Sequence, residues 1–176
     1  MTKVLEIAEL GNPVLRAIAR PVQDIYAPAI QQLIDNLIHT AAQTNGVGIA
    51  APQVSESIQL FIVASRPNLR YLHAPVIEPT PMINPQIVAY SDEKETGWEG
   101  CLSVPGMRGQ VERAKEIEVV YGDRHGNQQQ KIFTGFVARI IQHEHDHING
   151  KVFLDRVAST LDLMSDAEYH SRIVCG

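Results

Sequence analysis

Five consecutive residues, His143-Glu144-His145-Asp146-His147, contain the pattern H-E-x-x-H. On an α-helix, positions i and i+4 differ by about 40° around the axis, so His143 and His147 project from one face and can share a metal ion. Glu144 sits about 100° from His143, close enough to contact a water on that metal without ligating it. Two imidazoles that bind and a carboxylate that handles protons make the geometry of a hydrolytic site. This composition produces the pattern by chance about 0.02 times in a chain of this length. The bland reading is a solvated His-rich helix end. Against it, Phe136, Val137, Ile140, Ile141 and Ile148 share the arc with the pair, and polar groups in a buried stripe are costly unless paired or ligating. His145, about 200° from His143 on the same wheel, is expected to point away from the metal.

A metal of this kind takes a third protein ligand and keeps one position open. Downstream, Asp155, Asp162, Asp166, Glu168 and His170 are available. Upstream, Glu99-Gly100-Cys101-Leu102-Ser103 centres on one of only two cysteines. Read in isolation, Cys101 is as well explained as a small buried apolar residue. Gly100 permits an unusual backbone turn beside it, and a thiolate near two imidazoles completes a Cys-His-His set. A third segment, Gly46-Val47-Gly48-Ile49-Ala50-Ala51-Pro52-Gln53, alternates its glycines. They allow a peptide to approach the strand closely, and the Gln53 amide offers N–H donors to a developing oxyanion. Alone, the segment reads equally as a packed strand with a glycine bulge. It is no phosphate loop, since no Lys or Ser/Thr follows in the required place.

The surrounding elements have to position these groups. Asn12-Pro13 reads as an N-cap with a first-turn proline, opening a short helix over Pro13 to Ala19. Pro28 opens a second helix, whose buried face is Ile30, Leu33, Ile34, Leu37, Ile38 and Ala41 and whose stop is Asn45-Gly46. Residues 58–64 form a buried strand. Pro67, Pro75, Pro79 and Pro81 exclude a long helix over 67–81 and suggest an ordered loop. Residues 82–90 are extended, with Pro85 confining them to an edge or a bulge. Residues 113–121 and 128–133 are strands joined by the turn Asp123-Arg124-His125-Gly126-Asn127. Thr134 caps the motif helix over residues 135–149, and Gly150 stops it. Strands clustered between flanking helices, without βαβ alternation, predict an α+β domain.

The chain has 176 residues, 15 Lys plus Arg against 20 Asp plus Glu, and 2 Cys. That length suggests one domain over residues 1–176, large enough to hold a core without disulfides. A net charge of −5 argues against a nucleic-acid binder. Two cysteines suit a reducing compartment. No apolar run reaches the roughly 18 residues of a membrane span. Glu6 and Glu9 interrupt any signal-peptide core, so a cytoplasmic location is expected.

Taken together, the three segments resemble the signature motifs of the peptide deformylase family, in order and approximate spacing, within a resemblance over about residues 5–157. The family removes the formyl group from the N-terminal formylmethionine of new polypeptides and releases formate. The resemblance implies antiparallel strands packed around a central C-terminal helix carrying the H-E-x-x-H motif. By motif position it makes Cys101, His143 and His147 the metal ligands and Glu144 the general base and acid. It gives the oxyanion to Gln53 and the Leu102 backbone N–H. Gly48 would pair with the substrate backbone, Arg108 would lie near the peptide chain, and Val47, Leu102 and Ile140 would line the methionine pocket. Cys and His ligands suit Fe²⁺, Zn²⁺, Co²⁺ or Ni²⁺; the resemblance implies Fe²⁺. The partners implied are nascent formyl-Met peptides. Some family members dock on the ribosome through a basic C-terminal helix, which is not expected here because residues 158–176 carry Arg172 as their one Lys or Arg. The 67–81 stretch is longer than the minimal family hairpin, and either a cleft rim or a surface loop accounts for it. The rival readings are a small zincin-like protease with a downstream carboxylate ligand, and a non-catalytic metal-binding module.

Overall fold

The computed structural model describes residues 2–67 and 72–175, so part of the 67–81 stretch lies outside the described residues. Two antiparallel sheets flank a central helix. The first has five strands in the order β1-β2-β3-β6-β7, formed by β1 (Gly48–Ala50), β2 (Leu60–Val63), β3 (Thr80–Tyr90), β6 (Glu116–Gly122) and β7 (Gln128–Thr134). The second has three, in the order β4-β5-β8, formed by β4 (Lys94–Cys101), β5 (Val104–Ala114) and β8 (Leu163–Ser165). Helix α1 (Pro28–Gln43) precedes the sheets, α2 (Gly135–Ile148) carries the histidines, and α3 (Asp166–Tyr169) leads into a π-helical turn over His170–Val174. No described helix is long and apolar enough to cross a membrane.

The continuous apolar run of β2 has a direct cause, because the strand is covered on both faces. Leu60 and Ile62 join Ile34, Leu37 and Ala41 of α1 in one core cluster. Phe61 and Val63 join Ala138, Ile140, Ile141 and Ile148 of α2 in another. Helix α2 is also buried on its polar side: Gln142 holds the backbone of Ala114 through both ends of its amide, and Asp146 pairs with Arg113. The wheel's His145 side, which carries Ala138, Gln142 and Asp146, is therefore largely buried as well.

Several sequence expectations are corrected. The first helix is only a 3₁₀ turn over Pro13–Arg16, although Asn12 Oδ1 does cap it by accepting from the Val14 N–H at 3.1 Å. The expected strand over 113–121 is two strands in different sheets, separated by Lys115 alone. There the Lys115 N–H donates to the Glu93 carbonyl and its own carbonyl accepts from Gly135 at the start of α2. Pro85, by contrast, meets the expectation of an edge or a bulge: β3 lies in the middle of its sheet, and a bulge between Ile83 and Gln86, with Asn84 at φ 49°, accommodates the proline. Thr134 precedes α2 in extended conformation without a side-chain cap bond.

The stop of α2 follows expectation. Gly150 takes φ +70°, and the Gly150 and Lys151 N–H groups close onto the carbonyls of His147 and Asp146. A Cβ at Gly150 would lie 2.6 Å from the backbone oxygen of Arg16. Gly150→Ala is therefore expected to lose about 2 kcal/mol or more of stability, from the left-handed backbone and the clash together. Urea unfolding checks this, and an unchanged midpoint would contradict it.

Candidate active site

Cys101 stands at the end of β4, where Leu102 and Ser103 turn the chain into β5, and faces α2. Its Sγ and one ring nitrogen each from His143 and His147 lie within 4.8 Å of one another. The Cys101 Sγ to His147 Nε2 distance is 3.3 Å. Burial pushes the Cys101 thiol up, but the two imidazoles outweigh it and hold the group well below the ordinary thiol range. A buried thiolate with two imidazoles is a donor set that a single divalent ion fits. Among the described residues no downstream acid or His170 joins this cluster. Asp155 instead pairs with Arg16, and Asp166 with Arg108.

The orientation of His143 is set by Glu99. Nδ1 of His143 lies 2.9 Å from Glu99 Oε2. An ionised carboxylate only accepts, so Nδ1 carries the proton and Nε2 is left for a ligand. The same carboxylate accepts from Arg113 Nε (2.9 Å) and Nη2 (3.0 Å) and from Arg139 Nη1 (2.9 Å). Burial alone would raise Glu99, but the hydrogen bonds from His143 and Arg113 hold it well below the usual carboxylate range. Arg113 also donates to Asp146 at 2.6 Å, and Asp146 in turn accepts from Arg156. Sequence reading assigned no role to Glu99, Arg113, Arg139 or Asp146. The signal was present in Glu99, one residue before Gly100 in the quoted motif, and in Arg139 within an otherwise apolar stretch. Glu99→Gln is expected to weaken metal binding by about 10- to 100-fold, read by competition with a chelator; unchanged affinity would remove Glu99 from the orienting role.

Glu144 points to the other side of the histidine pair. A Cβ built on Gly48 would lie 2.4 Å from Glu144 Oε1, so the glycine in β1 is what lets the carboxylate sit there. Burial pushes the Glu144 carboxyl up to about 7 against the opposing pull of His143 and His147. Gln53, on the 3₁₀ turn Ala51–Val54, is fixed by the Ala50 N–H, which donates to Oε1 at 2.9 Å. Its Nε2 is thereby directed to Cys101 Sγ at 3.3 Å and Ser103 Oγ at 3.2 Å.

These groups open onto a shared cleft. Val47, Gly48, Gln53, Cys101, Leu102, Ile140, His143 and Glu144 all line it, joined by Trp98, Phe136 and Arg139. Strand β1 is an edge strand, so one side of its backbone is unpaired within the sheet. Two expected residues do not line the cleft. His147 lies behind Cys101 and His143 and is 1% exposed. Arg108, expected beside the peptide chain, is also 1% exposed, paired with Asp166 at 2.7 Å and lying 5.0 Å from the Tyr169 ring centroid. The segment after residue 157 supplies both partners. His145 lies in a separate groove with Tyr90, Asp146 and Arg156.

A buried helix bearing H-E-x-x-H, facing a cysteine across a cleft, defines a mononuclear metallohydrolase centre. Comparison with known proteins narrows the class. The family model described as polypeptide deformylase matches residues 4–162. "Peptide deformylase 2" of Nostoc sp. is 58% identical over 171 residues, covering 97% of this chain and 96% of that protein. "Peptide deformylase 2" of Shewanella oneidensis is 46% identical and covers 88% and 84% respectively. The Met-Ala-Ser-bound crystal structure of a class I type b peptide deformylase from Acinetobacter baumannii superposes with a TM-score of 0.87 at 47% identity, over 89% of this chain and 100% of that one. The chain belongs to the peptide deformylase family.

Proposed function

We propose that the chain, acting as one catalytic domain in the cytoplasm, hydrolyses the N-formyl group of nascent formyl-Met peptides and releases formate. The observation that carries this reading is the convergence of Cys101, His143 and Glu144 on one cleft beside the edge strand β1, with the His147 ring grouped behind Cys101 and His143. Cys101, His143 and His147 would hold the metal; when bound, a divalent ion acidifies a water and polarises the carbonyl. The chain's own residues do the rest. The peptide backbone pairs along β1 at Gly48, which brings the formyl group, small enough for a narrow cleft, toward the histidines. Glu144 takes a proton from the attacking water and returns it to the leaving amine. The Gln53 amide and the Leu102 N–H receive the oxyanion, and losing one such donor costs about 3 kcal/mol of transition-state stabilisation. Val47, Leu102 and Ile140 line the pocket for the methionine side chain.

Formate release from formyl-Met-Ala-Ser tests the reading. Inactivity of the metal-loaded protein on this peptide, together with cleavage of internal peptide bonds, would overturn it. The metal proposed is Fe²⁺. A thiolate ligand and an open position expose such a centre to oxygen, so the iron form is expected to lose activity in air faster than the nickel form. Equal half-lives would contradict iron-centred inactivation.

A further inference from the structure

Arg139 lines the cleft with Trp98, Phe136, Ile140 and its ion-pair partner Glu99, one helical turn before His143. Its side chain is only 10% exposed and is held rigidly. Nη1 donates to Glu99 Oε1 at 2.9 Å and to the Val111 carbonyl at 2.8 Å, and Nη2 donates to the Glu95 carbonyl at 2.6 Å. Among the described residues, none accepts from its Nε–H. Gly97 on β4 makes room for the group: a Cβ there would sit over the guanidinium face, 3.0 Å from Cζ and Nη2 and 3.2 Å from Nε.

Four residues separate Arg139 from His143, about 6 Å along the helix axis. A methionine whose formyl carbon lies at the His143 end places its sulfur five bonds away, also about 6 Å by standard bond lengths. The far end of the first side chain therefore reaches the level of Arg139. We propose that Arg139 is a specificity residue that presents a fixed hydrogen-bond donor to the end of that side chain. The cleft then selects side chains that end in an acceptor, the thioether sulfur and more strongly a methionine sulfoxide oxygen, over the isosteric hydrocarbon norleucine. This inference rests on the deformylase reading. Sulfur is a weak acceptor and a sulfoxide oxygen a strong one. A wholly apolar pocket would leave a buried sulfoxide unsatisfied and reject it. Neutralising Glu99 does not require Arg139 alone, since Arg113 already meets both oxygens of that carboxylate.

The test titrates the nickel-loaded protein with the product peptides Met-Ala-Ser, methionine sulfoxide-Ala-Ser and norleucine-Ala-Ser by calorimetry. The kcat/KM of the three formylated forms is measured in parallel. The wild-type protein is expected to bind one sulfoxide epimer within about 10-fold of Met and more tightly than norleucine. Arg139→Met should bring norleucine level with Met and weaken the sulfoxide by about 30-fold, the loss of one charged hydrogen bond. Wild-type protein that binds norleucine as tightly as the sulfoxide overturns the proposal, and this ordering decides even where Arg139→Met does not fold. Retention of the wild-type order in a folded, metal-replete Arg139→Met protein also overturns it. Absence of formate release from every formylated peptide counts against the deformylase reading instead, and the product titration still decides the role of Arg139.

Discussion

Glu144→Gln is expected to abolish turnover, by about 10²- to 10⁴-fold in kcat, while metal stays bound. The carboxylate is beside the ligands without being one of them, and Gly48 leaves it space at the cleft wall. Gln is nearly isosteric, so it refills that space, and it adds no charge near Cys101. What it removes is the ability to accept and return a proton. Burial that pushes this carboxyl up to about 7 suits a group that must do both near neutral pH. Formate release measured alongside elemental analysis checks the expectation. Near-normal rates in a metal-replete Glu144→Gln protein would take Glu144 out of proton transfer.

A comparable effect is expected on the metal itself, and it separates the three histidines. His147→Ala should lose both metal and activity, because the His147 ring is one of the three groups placed to hold an ion and its Nε2 faces Cys101 Sγ. His145→Ala should keep near-stoichiometric metal and most activity. Its ring lies in the other groove, where Asn149 Nδ2 approaches Nδ1 at 3.4 Å. Metal content of the two purified variants decides the matter. Retention by His147→Ala with loss from His145→Ala would mean that the helix presents another face, and the mechanism built on it would fall.

Much of this site is legible in sequence because it depends on local periodicity. The i, i+4 spacing of His143 and His147, the glycine stop at Gly150 and the alternating glycines around Gly48 are all short-range signals. The α+β class also follows from the order of elements. Less legible is whatever depends on pairing between distant segments. Strand β4, with two glycines and several charges among its eight residues, lacks the apolar alternation that marks a strand. Its partner is chiefly Gly109–Ala114 of β5, most of it likewise unmarked, and the two are held by each other. Arg108 looked like a residue for the substrate because nothing local indicates that Asp166, 58 positions later, pairs with it. Arg139 carried no assignment in sequence, since Gly97 and Glu99 meet it only across the fold.

Lys115 has a consequence for where this chain tolerates a change of length. Its two backbone groups fasten Glu93, ahead of β4, and Gly135, the first residue of α2. The Ala19 N–H fastens the other end of the same helix by donating to the Ile148 carbonyl at 2.9 Å. The helix is therefore clamped against axial sliding at both ends. One residue inserted at Lys115 would reverse the inward and outward faces of β6 and release the forward clamp, because side chains alternate with a period of 2 along a strand. The tip of the turn between β6 and β7 touches neither clamp. A residue inserted at Lys115 is therefore expected to disturb the placement of His143 and His147 relative to Cys101 more than one inserted at that tip, whose ties run to Tyr26, Gln31 and Asp35 instead.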